Sequence, residues 1–313
     1  MKVTFVQPLS LAWRRMTTDL FRPFDIGKWF VVGFTVFLAE LLDTGLLDWP
    51  HHFGAQDIKD HTTRDIEEFL ELPGVAWQWL QEHTFWLILI SFVIILILII
   101  LLVLTWLSSR GAFMFLDNVV NNRALVNKPW HQFRKAANSV FLWRVFFGFV
   151  IGILVGSFAV ILFMIIGMFI TNILPAIPII LIIGMILIAV FIAIVFCYIS
   201  MFLNNFVIPI MYKHDVQVLK GWKKFLELFR THSGYFLVYG LLLFLLHSVV
   251  IIMVILIGIF TCCIGFILLI IPYISSVILL PISYTFRAFS LEFLEQFGPE
   301  YKIFPQTANK PQL

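Results

Sequence analysis

Charge is what this sequence has least of. Asp, Glu, Lys and Arg make up 12% of its 313 residues, against about a quarter in a soluble domain. That scarcity excludes an ordinary water-soluble globule, and the mean hydropathy of +1.00 assigns the chain to a bilayer. Cysteine is scarce too. Cys197, Cys262 and Cys263 cannot build a disulfide framework, and a bridge between neighbours is strained, so all three read as packing residues. No phosphate-binding Walker loop, G-x-S-x-G, H-E-x-x-H or dinucleotide fingerprint occurs, and no nucleic-acid module. A basic segment followed by a short apolar core and a small-residue cleavage site is also missing, so no removable signal peptide is expected.

What is there is long apolar runs. A helix needs about 20 apolar residues to cross a hydrocarbon core of about 30 Å. Trp29 to about Leu47 is the first such run, and Phe85–Leu107 is the second. Residues 145–212 carry no Asp, Glu, Lys or Arg, and "NILPAIP" (Asn172–Pro178) breaks them into 145–171 and 179–203. Residues 231–286 are equally free of formal charge, with "TCCIG" (Thr261–Gly265) as the turn between about 236–260 and 266–286. The expected fold is all-α, with six transmembrane helices. Nineteen of the 21 basic residues then fall on the side of the termini, leaving Lys59 and Arg64 opposite. By the positive-inside rule both termini are expected in the cytoplasm.

The chain also echoes itself. With Trp130 over Trp222, Phe133 meets Phe225 and Gly148 meets Gly240 without a gap. "AWRRMTTDLF" (Ala12–Phe21) holds the same place before the first span. "PIMY" (Pro209–Tyr212) pairs with "PISY" (Pro281–Tyr284), and both prolines should kink or end their helices. The expectation is a pseudo-threefold repeat of an interfacial helix plus two spans in one membrane domain. Its units are 1–107, with an extracytoplasmic loop at 48–84, then 108–203, then 204–313 with a C-terminal helix and tail. The alternative is that any six-span chain with amphipathic loops looks repetitive.

Two loop segments are amphipathic. Leu219, Trp222, Phe225, Leu226 and Phe229 share one helical face, and Lys220, Lys223, Lys224, Glu227 and Arg230 take the other. Leu9, Trp13, Met16 and Leu20 do the same beside Arg14, Arg15 and Asp19. Such helices lie in the membrane interface with basic residues against anionic lipid. Trp222, Lys220, Lys223, Lys224, Arg14 and Arg15 are therefore candidates for lipid or partner contact, or plain topology anchors.

Polar residues inside spans are candidate functional groups. Glu40 and Asp43 share a helix face; counted from Trp29 they lie about 16 and 21 Å up the first span. His247 stands near the middle of the fifth. A carboxylate and an imidazole can relay protons or hold a cation, or simply join helices by a hydrogen bond. In the loop, "HHFGAQDIKDH" offers the ligand types of a zinc site in His51, His52, Asp57 and His61, without a recognised spacing. The plainer reading is a solvated acidic loop, with Trp77, Trp79 and Trp86 as an aromatic belt. Asp117, beside Asn118, Asn121 and Asn122, reads as a turn or cap. No cofactor is expected.

At "RGAFMFLDNVVNNRA" (110–124), "FVIPIMY" (206–212) and "SLEFLEQFGPEY" (Ser290–Tyr301) the chain resembles a family of uncharacterised bacterial polytopic membrane proteins. More distantly, "VIPIMYKHDVQVLKGWKKFLELFRTHSGYF" (207–236) is similar to the membrane domain that accompanies some glycerophosphodiester phosphodiesterases, whose catalytic domain has no counterpart here. The resemblance implies a multi-pass protein of the bacterial inner membrane without an assigned reaction. Taken together, the sequence points to a non-enzymatic scaffold that engages membrane lipids, other envelope proteins or a second copy of itself. A small transporter or channel using the intramembrane carboxylates, and a metal-dependent enzyme on the outer loop, are the alternatives.

Overall fold

The structure is a computed structural model that describes residues 3–41, 74–75, 78–170, 176–260 and 268–305. Among the described residues it is helical, with no strand beyond one isolated bridge between Phe21 and Phe24. The chain divides into two compact units. One comprises Met1–Thr44, Thr105–Trp143 and Tyr198–Leu313; the other comprises Gly45–Leu104 and Arg144–Cys197.

Four stretches are long and apolar enough to cross a membrane: Thr84–Val120, Arg134–Gly167, Ile179–His214 and Val218–Phe260. Their most apolar windows are scarcely covered by protein, as expected where lipid is the solvent and apolar side chains face outward all round. A fifth crossing is available if the pair Pro272–Ile278 and Leu280–Glu295, bent by 64°, acts as one. The expected first span is different. Its described part is Ile26–Ala39, 14 residues, or about 21 Å, short of the hydrocarbon core. The remainder of that run, and most of the loop expected at 48–84, lie outside the described residues.

The unit containing the termini holds the core. Helix α1 (Val6–Phe21) buries Ala12, Met16 and Leu20, spaced four apart, against the last long helix, Leu280–Glu295. Helix α2 is Ile26–Ala39, started by the Asp25 carboxylate accepting from Gly27 N–H at 2.8 Å. Helix α3 (Thr84–Val120) presses Gly111 onto α2 so closely that a Cβ there would meet Ala39 N at 2.4 Å. After α4 (Asn127–Gln132), α5 (Arg134–Ile170) and α6 (Ala176–Phe202), a π-turn at Leu203–Val207 leads into α7 (Ile208–His214). Helix α8 (Val218–Phe260) contains one non-helical residue, His232. This is the break expected between the amphipathic segment and the fifth span. Helices α9 (Pro272–Ile278) and α10 (Leu280–Glu295) follow, then a 3-10 turn at Pro299–Tyr301.

Aromatic rings fill this core. Phe206 stacks on Phe225 at 5.6 Å and meets Phe236 edge-on at 4.9 Å, while Tyr239 lies 4.6 Å from Phe293. The amphipathic segments turn part of their apolar faces to protein: Phe225, Met16 and Leu20 are buried, while Trp13, Leu219 and Leu226 stay exposed. The aligned glycines of the repeat sit in different settings. A Cβ at Gly240 would strike Tyr198 at 2.4 Å, whereas Gly148 has open space around it.

Buried acids tie the helix ends. The Asp117 carboxylate, 1% exposed, accepts from Arg123 Nε at 3.0 Å and Nη2 at 2.6 Å, from Asn121 Nδ2 at 2.9 Å and from the Tyr212 hydroxyl at 3.0 Å. Tyr284 donates to Asp19 at 2.7 Å. The stretch that follows α10 is held by Glu295, whose carboxylate accepts from Ile303 and Phe304 N–H at 3.0 and 2.9 Å. Burial, with Glu300 and Glu227 adding, pushes the Tyr301 phenol up. Removing the Asp117 acceptor strands the Arg123 guanidinium and the Tyr212 hydroxyl. Asp117→Ala is therefore expected to destabilise the fold by about 3–5 kcal/mol, read from unfolding in mixed micelles; a loss comparable to that of an exposed surface change would refute this role.

Candidate functional site

The candidate site forms where two helices are broken by proline. Pro209 has no N–H, and its ring crowds the carbonyl four residues earlier. The chain answers with the π-turn, in which Ile208 N–H bonds back to Leu203 O. In that register the next carbonyl, Asn204 O, would be served by residue 209, which cannot donate. Arg287 fills the place, its Nη1 donating to Asn204 O at 2.6 Å. Asn205 turns its own Nδ2 to Met201 O at 3.1 Å. In the other helix Pro281 follows the break at Leu279, where α9 and α10 meet at 64°. Thr285 and Ser276 cover carbonyls on either side, donating to Pro281 O and Pro272 O at 2.7 and 3.1 Å.

Between these breaks lies a cavity of about 440 Å³, within the usual range of small-molecule sites. Its polar lining is Glu40, Asn204, Asn205, His247, Ser283 and Arg287, and most of the remaining wall is apolar. Glu40 caps the carbonyl end of α2, where the helix dipole disfavours a carboxylate; Arg287 supplies a positive charge to the same space. The His247 ring lies flat on Phe286, centroids 4.2 Å apart, with Nδ1 2.9 Å from Leu243 O.

The structure therefore brings Glu40 and His247 together. Ser108 donates to Ala39 O at 2.8 Å, so Glu40 adjoins the residues of α3 just past the charge-free run Phe85–Leu107. Asp43 lies outside the described residues, as do His51, His52, Asp57 and His61; among the described residues no cluster could hold a metal ion.

The lipid-contact candidates divide. Arg14, Lys220 and Lys223 are exposed, and Lys224 is half-buried. Arg15 is committed inside the protein, 2.6 Å from Glu292 and 3.5 Å over the Phe304 ring. Trp222 is half-buried and stacks on Trp143 at 5.5 Å. Sequence reasoning missed Arg287, Asn204 and Ser283. The available signal was Pro209, whose missing N–H leaves a carbonyl needing a donor.

A family described as a family of unknown function, DUF7544, matches residues 4–280. The chain belongs to this family. No curated protein and no solved structure matches it. The family match ends before Ser290–Tyr301, and it carries no link to the phosphodiesterase membrane domain. With apolar helices of spanning length, this DUF7544 member is a membrane protein.

The pairing of Arg287 with Pro209 can be tested as a cycle. Arg287→Met should cost about 1–3 kcal/mol by leaving Asn204 O without its donor. In a Pro209→Ala background, where residue 209 regains an N–H, the same change should cost clearly less. Equal costs in both backgrounds would show that the two residues act independently.

Proposed function

We propose that the protein is a non-enzymatic carrier of a small amphiphilic solute, with the Glu40–His247–Arg287 cavity as its binding site. One observation carries this reading: two titratable groups remote in sequence line one largely apolar cavity bordered by a π-turn and a broken helix. Transporter sites are commonly built from interrupted helices, whose freed backbone groups and termini face the ligand. Arg287 and Glu40 give the site charge of both signs for the polar end of an amphiphile, the His247 ring adds a polar edge, and the apolar wall takes the remainder. We place the protein in a bacterial inner membrane with six crossings and both termini in the cytoplasm, on the basic-residue asymmetry.

A carrier must open this cavity to each side in turn. In a cysteine-free background, Ser283→Cys should react with a membrane-impermeant thiosulfonate both in right-side-out and in inside-out vesicles. Reaction from one side only, or from neither, would sink the carrier reading.

A second reading keeps the basic face as the working part, as a lipid-engaging scaffold. It is favoured by exposed Arg14, Lys220 and Lys223 beside Trp13 and Leu219, which are 60% and 74% exposed. Each basic residue near an anionic surface is worth about 1 kcal/mol. The Lys220→Gln, Lys223→Gln, Lys224→Gln triple variant should then retain markedly less anionic lipid after purification, measured by mass spectrometry; unchanged lipid content would remove this reading.

A further inference from the structure

A second cavity, of about 500 Å³, lies apart from the first and is lined by the end of α3, Gln132 and Phe133, Tyr212 and Lys213, and the stretch Pro299–Pro305. Its walls are firmly built. One is the C-terminal strap, fixed by Glu295 through the Ile303 and Phe304 amides and by Arg15 over Phe304. The floor is the Asp117 network, in which the carboxylate is already met by Arg123, Asn121 and Tyr212.

The charges left over are positive. Lys213 and Lys302 both line the cavity, and their ammonium groups make no hydrogen bond or ion pair with any described residue. Neither of the carboxylates next to them in the chain, Asp215 and Glu300, is part of the lining. The Tyr212 hydroxyl is spent, donating to Asp117 and accepting from Asn121. The Asn121 amide nitrogen is likewise spent, so its carbonyl oxygen is the atom it offers. Gln132 adds an uncommitted amide, and Phe133 an aromatic wall that packs on Tyr212 at 4.9 Å.

We infer that this cavity binds a phosphoryl group carried on an uncharged organic body. Two ammonium groups match a dianion better than the single charge of a carboxylate, and lysine is a ready phosphate partner as a point charge. The volume exceeds what the phosphoryl group alone needs, and the Phe133 wall and amide acceptors suit a ring or hydroxylated remainder. The inference does not depend on the carrier reading, since no residue of the first cavity takes part.

The full-length protein in phosphatidylcholine nanodiscs at low salt provides the test, with inorganic phosphate and phenyl phosphate titrated calorimetrically. Saturable binding is expected, tighter for phenyl phosphate because of the ring wall. The Lys213→Gln, Lys302→Gln double variant should weaken it about ten-fold or more, while the corresponding double Arg variant keeps it. Both ammonium groups lack partners among the described residues, so the melting temperature should not move. Adding phosphatidic acid to the nanodiscs separates two sources of the same chemistry: competition with phenyl phosphate indicates a lipid headgroup, and undisturbed binding indicates a soluble ester. Absence of phenyl phosphate binding, or equal binding by the double Gln variant, overturns the inference.

Discussion

A carbonyl released from a helix in an apolar setting must find a donor. Water is scarce there, and an unpaired backbone group costs several kcal/mol. Pro209 releases such a group in this chain, the Asn204 carbonyl, and Arg287 is placed to receive it. Pro281 sits instead in the first turn of α10, just past the bend at Leu279, where its missing N–H is not needed. The cavity lies between the π-turn and that bend, and the donor that serves the π-turn, Arg287, is part of its polar lining. Site and scaffold therefore share a residue: the guanidinium that serves Asn204 O also lines the cavity.

The same unit stakes much on carboxylates that are buried, Asp117 and Glu292, or half-buried, Asp19 and Glu295. Asp117, Asp19 and Glu292 join segments distant in sequence, and all four are met by named donors. Such acids add little net stability compared with well-packed apolar groups, but losing a partner is costly. Their effect is on register. Asp117 fixes the turn after α3 against α7, and Glu295 folds the strap back onto α10. The parallel between "PIMY" and "PISY" has a concrete content here: each proline adjoins a disruption of its helix, and each tyrosine three residues on donates to an Asp carboxylate.

Periodicity and charge made much of this fold legible. The charge-free runs mark the long helices, and the amphipathic-to-apolar transition near Thr231 marks the break at His232. The prolines marked both disrupted helices. Neighbours across helices were less accessible: α2 ends at Ala39 beside Ser108, a contact between residues 69 positions apart. The partners of Arg287 and Tyr284 were hidden for the same reason, because long-range pairings leave no local pattern.

Amphipathic faces pose a sharper problem. Helical spacing says that one face avoids water, but it does not say whether lipid or protein covers it. Here the face is divided: Met16, Leu20 and Phe225 are inside the core, and Trp13, Leu219 and Leu226 are exposed. Neighbouring arginines show how fine the division is. Arg14 points to solvent, while Arg15, one position or about 100° further round the helix, reaches Glu292 and the ring of Phe304. A basic cluster read from sequence therefore overstates the charge offered to a membrane. What remains exposed, Arg14 with Lys220 and Lys223, lies beside residues whose apolar neighbours are already committed. Attraction to anionic headgroups at this face must accordingly rest on charge and on the few exposed apolar side chains, Trp13 and Leu219 among them, rather than on immersion of a whole helix face.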